Sequence, residues 1–246
     1  MARLHRRFLI FLLAAGFIWS CKTAAQIGPV FPLPDRPVAP NVSPRHSDEK
    51  VRDADGEAMR VMDHIGIKPG IRVADIGAGE GYYTVRLARR LGSSGTIYAQ
   101  DIEADYLRRL EARLERQVIR GVKLVPGMPN DPKLMPNSVD VALLAHVYHM
   151  IENPYEFFYR LRPALAANAR VAIIDVDRPT QDHGTPPALL RCELEAVGYR
   201  QVDFISLEPA EGYLAIFLPP PELPPVSLIR PCISQAIGDT HGKGKK

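Results

Sequence analysis

From about residue 60 to residue 218 the chain alternates short apolar runs with longer stretches whose apolar residues recur every three or four positions. The runs at 71–76, 95–100, 122–125, 139–147 and 170–175 have strand length and are rich in Val, Ile and Leu. Amphipathic stretches at 81–91, 104–119, 154–165 and 187–197 predict helices, the last stopped by Gly198. In 104–119, Leu107, Leu110, Leu114 and Val118 share one helical face, with Arg108, Glu111, Arg113, Glu115 and Arg116 largely opposite. A further helix is expected across 47–65, where Val51, Ala54, Ala58, Val61, Met62 and Ile65 recur at helical spacing. The rhythm then changes. The runs 202–207 and 213–218 are joined by a short polar link, and a parallel return needs a dozen or more residues, so this pair is antiparallel. The pattern predicts five β-α units followed by a hairpin: an α/β, doubly wound, mostly parallel seven-stranded sheet ending in an antiparallel hairpin, with helices on both faces.

Proline sets the outer limits. Six prolines fall between Pro29 and Pro44 and six more between Pro219 and Pro231, so twelve of the 23 lie outside the middle of the chain. Such segments hold neither helix nor central strand, which predicts an extended tether at 22–46, a folded unit at 47–218 and a disordered tail at 219–246.

At 46% hydrophobic and 24% charged residues, the 246-residue composition is that of a globular chain and excludes disorder throughout. The formal charge of +3 belongs to the ends: Arg3, Arg6 and Arg7 precede the first acid, and residues 219–246 carry a net +2. The body therefore has no basic footprint for nucleic acid.

Residues 1–21 have the layout of an export signal, a basic start followed by twelve uncharged residues from Phe8 to Trp19, too short for a membrane span. Its end is open to two readings. Ile18-Trp19-Ser20-Cys21 is similar to the box of a bacterial lipoprotein signal, which implies membrane attachment through a lipidated Cys21, whereas Thr23-Ala24-Ala25 satisfies a small-x-small cleavage rule. Both predict a protein that leaves the cytoplasm, for the periplasm or a membrane anchor. Beyond Cys21 only Cys192 and Cys232 remain, as one disulfide or as two thiols.

In a sheet of this kind ligands bind outside the carboxyl ends of the strands. The first such end reads Asp75-Ile-Gly77-Ala-Gly79-Glu-Gly81-Tyr-Tyr83, three glycines that let the backbone turn sharply against a ligand. A dinucleotide fingerprint needs its third glycine where Tyr82 stands, which disfavours a nicotinamide-dependent oxidoreductase. The charge of Asp75 repels phosphate and attracts an ammonium or sulfonium. Asp101, at the end of the second strand, is placed to accept hydrogen bonds from ribose hydroxyls, or else to cap the next helix.

Val73-Ala-Asp-Ile-Gly-Ala-Gly-Glu-Gly-Tyr-Tyr-Thr84 resembles motif I of the class I S-adenosylmethionine-dependent methyltransferases, whose sheet is Rossmann-like, and the resemblance extends over about 60–218. Nearest in character is the broad group containing the quinone-biosynthesis methyltransferases. The resemblance implies S-adenosyl-L-methionine as cofactor, with Asp75, Gly77, Gly79 and Gly81 at its methionine half, Asp101 at the ribose, and Asn130 or Asp131 at the adenine unless Asn130-Asp131-Pro132 is a plain turn. It also implies a small-molecule acceptor. His149 is the preferred general base, ahead of His146 and Tyr148, in the segment after the fourth strand. No metal is expected, since nothing near His146 and His149 completes a ligand set. The loop 175–184 is a further candidate for the acceptor pocket, and Arg52 and Asp53 for facing the ligand. An exported S-adenosyl-binding module without turnover is the alternative from another functional class.

Overall fold

The structure, a computed structural model, describes residues 29–40 and 48–233. The export-like segment 1–21 with Cys21, most of the tether and the last thirteen residues of the tail lie outside the described residues. Seven strands form one sheet: β1 (Arg72–Ile76), β2 (Thr96–Asp101), β3 (Val122–Pro126), β4 (Val139–Ala145), β5 (Leu165–Asp175), β6 (Arg200–Ser206) and β7 (Tyr213–Leu218). Their order is β3-β2-β1-β4-β5-β7-β6, all parallel except β7, which runs antiparallel to both of its neighbours. The order reverses between β1 and β4, the usual place for a ligand crevice.

The central strands are apolar on both sides because both faces are covered. Val141 and Leu143 of β4 join a core with Val61 and Met62 of α2 (Glu57–His64) and Leu87 of α3 (Tyr82–Leu91). Ala142 and Leu144 point the other way, to Phe158 of α5 (Pro154–Leu161) and Leu190 and Leu194 of α6 (Pro187–Ala196). Leu110 and Leu114 of α4 (Ala104–Arg116) make a smaller cluster with Ala78 and Ala99.

The boundaries differ from expectation where local chemistry intervenes. The helix expected over 47–65 is two helices, α1 (Glu49–Ala54) and α2, because Gly56 turns left-handed with φ +67°. Helix α4 ends at Arg116, so Val118, expected on its buried face, is exposed with positive φ. Helix α5 stops at Leu161 before Pro163, which lacks the N–H to continue it, and the strand expected from 170 already begins at Leu165. Five β-α units were expected, but β3 connects to β4 through residues 127–138 without a helix.

The proline-rich ends are not free of the domain. In the expected tether, Phe31 packs edge-on to Tyr159, and Asn153 Nδ2 donates to the Pro32 carbonyl. In the expected tail, Cys232 is disulfide-bonded to Cys192, and the Cys232 N–H donates to the Tyr155 hydroxyl at 2.8 Å. Among the described residues of both segments there is only a 3-10 turn at Val226–Leu228 and an isolated bridge between Asp35 and Ile233, and individual side chains of the domain satisfy several of their backbone groups. No helix among the described residues is long and apolar enough to cross a membrane.

Candidate active site

A cavity of about 740 Å³ opens at the carboxyl ends of β1, β2 and β4. Its floor is the turn from Ile76 to Glu80. The Ala78 N–H donates to the Gln100 carbonyl at 2.9 Å and the Gly79 N–H to Asp101 Oδ2 at 2.8 Å, tying the turn to the end of β2. Two of its glycines do different work. A Cβ on Gly81, at φ +90°, would stand 2.4 Å from Leu110 Cδ1, so this glycine lets α4 approach. A Cβ on Gly79, at φ +54°, would meet nothing within 4 Å, and Gly79 lines the cavity: here the missing side chain leaves room for a ligand.

Asp101 lies on the cavity wall. Oδ1 accepts from the Glu103 N–H at 2.9 Å and Oδ2 from Gly79, and the Ile102 N–H is a third backbone donor, yet a carboxylate has about four acceptor sites, so one remains for a ligand hydroxyl. The helix-cap alternative is met only in part: the N-cap position of α4 is Glu103, and Asp101 stabilises the turn before it. Burial pushes the Asp101 carboxyl up against the opposing effect of its backbone donors.

Asp75 stands near the end of β1 but off the cavity wall. Side chains alternate along β1, and that of Asp75 lies under α3, where it accepts from Thr84 Oγ1 at 2.6 Å. It is absent from the cavity wall, and burial pushes its carboxyl up to about 6. Asn130 and Asp131 also fall outside the wall. They belong to a tight turn closed by Met128 N–H to Asp131 O at 2.8 Å, and Asp131 spends its carboxylate on Lys133. Met128 and Pro129 supply this side of the cavity.

The segment after β4 separates its three candidates. Tyr148 turns away from the cavity: fully buried, it donates to Glu193 Oε2 at 2.6 Å, and burial pushes its phenol far up. His146, at φ +57°, lines the cavity with Nε2 3.7 Å from Glu57 Oε1. His149 lines it as well, its Nδ1 3.0 Å from Asp175 Oδ1. Asp175, at the end of β5, is completely buried and also accepts from the Val176 N–H at 2.9 Å and Thr185 Oγ1 at 2.7 Å. An acid so placed selects the tautomer with the proton on Nδ1, which makes Nε2 the accepting nitrogen of the His149 ring. Of the loop 175–184, Asp175 thus acts through His149, and His183 stacks edge-on to the same ring at 5.5 Å.

On the opposite wall Arg52 lies over the Tyr82 ring at 3.6 Å and forks onto Glu57, with contacts of 2.6 and 3.0 Å. Burial pushes the Glu57 carboxyl up, but His146 and Arg52 outweigh it and hold the carboxyl well below the usual range. Tyr83 donates a third hydrogen bond to Glu57, at 2.7 Å. Asp53, by contrast, pairs with Arg86 away from the wall. Sequence reasoning missed Glu57 and Gln100. Their only signal was position, Glu57 following the helix-breaking Gly56 and Gln100 standing one residue before Asp101 at the strand end.

A family model described as a methyltransferase domain matches residues 67–198, more than half of the chain. Among curated proteins, the 2-phytyl-1,4-naphtoquinone methyltransferase of Trichormus variabilis is 31% identical over 115 residues, covering 46% of this chain and 50% of that protein. The demethylmenaquinone methyltransferase of Bacillus mycoides is 22% identical over 124 residues, 50% of this chain and 51% of that one. The chain thus spans about half the length of the curated relatives it matches. A solved structure of a SAM-dependent methyltransferase from Aquifex aeolicus superposes with a TM-score of 0.63 at 21% identity, covering 70% of this chain and 96% of that one, and shows a shared fold. With the crevice at the strand-order reversal, the glycine turn and the matched stretch in agreement, the chain belongs to the methyltransferase domain family.

Proposed function

We propose that the protein is an S-adenosyl-L-methionine-dependent methyltransferase acting on a small-molecule acceptor, with His149 as its general base. The observation that carries this reading is the pairing of Gly79 and Asp101 on one wall of a single cavity. Gly79 leaves the space a Cβ would fill, and Asp101 offers an acceptor to a ribose hydroxyl. Ile102 and Met128 on the same wall give an apolar seat for a purine. The volume, about 740 Å³, lies within the range for small-molecule sites, roughly 300–1,000 Å³.

When bound, S-adenosylmethionine supplies an electrophilic methyl on a sulfonium whose leaving group is a neutral thioether. The chain's own tasks are to orient, to exclude water and to move one proton. Val147, Met150, Ile151 and Phe157 line the cavity beside His149 and suit a flat apolar acceptor. Nε2 of His149 takes the acceptor's proton as the new bond to carbon forms, and Asp175 stabilises the imidazolium that results. Relatives are named as 2-phytyl-1,4-naphtoquinone and demethylmenaquinone methyltransferases, and a reduced quinone, with a proton to lose from an aromatic hydroxyl, fits this arrangement.

We also propose that the protein works outside the cytoplasm, periplasmic or held at a membrane. Support comes from the basic-then-apolar segment 1–21 and from the Cys192–Cys232 disulfide, a bond that persists in oxidising compartments. Cell fractionation with a Cys21→Ser variant checks this. Recovery of the wild type only from the cytoplasm contradicts export, and loss of membrane association in the variant establishes lipidation.

The test of activity incubates the full chain with methyl-tritiated S-adenosylmethionine and chemically reduced 1,4-naphthoquinone, with catechol and a thiol as comparison acceptors. Label in the organic phase, lost in His149→Gln, is the expected result. Tight cofactor binding without transfer to any acceptor would make the protein a binding module.

A further inference from the structure

Residues 31–40 and 219–233 lie outside the stretch matched by the family model, yet the first reaches the cavity and the second is tied to the first. Cys192 and Cys232 are joined, and the residue after each one holds the N-terminal segment. Glu193 takes Arg36 in a buried ion pair at 3.0 Å, and Ile233 forms a β-bridge with Asp35. Arg36 also donates to the Ile151 carbonyl at 3.1 Å. Further along, Thr180 Oγ1 donates to the Pro37 carbonyl at 2.6 Å, and the Ala39 N–H donates to the His149 carbonyl at 3.2 Å. Val38, Ala39 and Pro40 then form part of the cavity wall. An unbroken set of contacts therefore runs from the disulfide through Asp35 and Arg36 to the backbone of His149.

Neither proline-rich segment belongs to the sheet, so no ladder of backbone hydrogen bonds fixes it. Segments held by a few isolated contacts open more readily than core strands, and a cross-link matters most there. Cys232 is buried and Cys192 half-buried, which leaves the bond reachable at one end.

We propose that residues 31–40 are a strap that completes the cavity only while Cys192 and Cys232 are bonded, so that ligand affinity at this site depends on the disulfide. The proposal rests on the reading of the cavity as an S-adenosyl site. The chemistry is ordinary thiol–disulfide exchange. One thiolate of a dithiol attacks a cysteine Sγ, and its second thiolate resolves the mixed disulfide. Two electrons and two protons pass to the protein, giving two cysteine thiols and the dithiol's own cyclic disulfide. Exchange with an oxidised disulfide carrier runs it backwards.

The test titrates S-adenosylhomocysteine into the oxidised full chain and into a Cys192→Ser/Cys232→Ser variant by calorimetry, and follows amide hydrogen exchange in both. The variant should bind about tenfold more weakly and exchange faster over 31–40, while β1 and β4 keep their protection. Equal affinity and equal exchange overturn the strap. If the variant loses protection in β1 and β4, wild type reduced with dithiothreitol decides the same question, and Ala39→Pro, which removes the N–H bonded to His149, must also weaken binding. Failure of oxidised wild type to bind at all refutes the S-adenosyl reading instead, and exchange over 31–40 with and without dithiothreitol then settles whether the disulfide holds the strap.

Discussion

His149 Nδ1 and Asp175 Oδ1 stand 3.0 Å apart with both side chains almost fully buried. The pair brings the end of β5 to the segment after β4, so the ring that faces the cavity is oriented by a carboxylate that does not. Asp175→Asn keeps the shape but removes the charge that selects the Nδ1–H tautomer and stabilises the imidazolium. It should lower kcat by about 10²–10⁴, as loss of a positioned base does. The dissociation constant for S-adenosylhomocysteine should stay within about twofold, because Asp175 lies off the cavity wall and meets it through His149, the group assigned to the acceptor. Single-turnover transfer beside calorimetry separates the two effects, and parallel loss of both would make Asp175 merely structural.

Gly79 and Gly81 differ in what their missing Cβ spares. Gly81→Ala drives a methyl into Leu110 at positive φ and should chiefly destabilise the fold, by about 1–3 kcal/mol. Gly79→Ala meets no protein atom, so its cost is the left-handed backbone alone, about 1–2 kcal/mol, while cofactor affinity collapses. Thermal melting with and without S-adenosylhomocysteine distinguishes them: Gly79→Ala loses the ligand-induced rise in Tm.

Asp75 carries a pH dependence. Its folded carboxyl is pushed up to about 6 by burial, above an unfolded value of about 3.9, so the folded state binds the proton more tightly. The associated stability is present below about pH 4 and lost as pH rises through about 6, a change of roughly 2–3 kcal/mol. Asp75→Asn, whose amide oxygen still accepts from Thr84, should flatten this part of the profile and be the more stable protein at pH 8. Urea denaturation at pH 4.5 and pH 8 checks it, and an unchanged slope would contradict it.

Arg36→Ala strands the Glu193 carboxylate, which burial already pushes up, in the protein interior. The expected cost is about 3–5 kcal/mol, as for other broken buried pairs. Arg36→Met with Glu193→Leu should cost less than the single change, and a larger loss in the double variant would deny the pair its role.

The sheet was legible mainly because its central strands are buried on both faces and so read as short apolar runs, β7 from Tyr213 to Leu218 without error. The glycine turn and Asp101 were legible because they follow strand ends in fixed order. The direction of the Asp75 side chain was not legible, because a motif records which residue precedes the glycines and not which side of the strand it faces. Asn130 and Asp131 stand off the wall for a related reason: the loop after β3 is closed by its own turn, and Met128 and Pro129 reach the wall first. Arg36 gave no sign at all, since a lone arginine among prolines looks solvated until Glu193, 157 positions later, is found beneath it. Long-range pairs of this kind leave no periodicity for a sequence to display.

The central claim is that the cavity at the ends of β1 and β2 holds an S-adenosyl ligand through Asp101 and the Gly79 turn. Calorimetric titration of S-adenosylhomocysteine into the oxidised full chain, wild type and Asp101→Ala, measures this directly. The wild type should bind one equivalent and the variant at least about tenfold more weakly, for loss of a charge-assisted hydrogen bond to a ribose hydroxyl. No binding by the wild type, or equal binding by the two proteins, would contradict it.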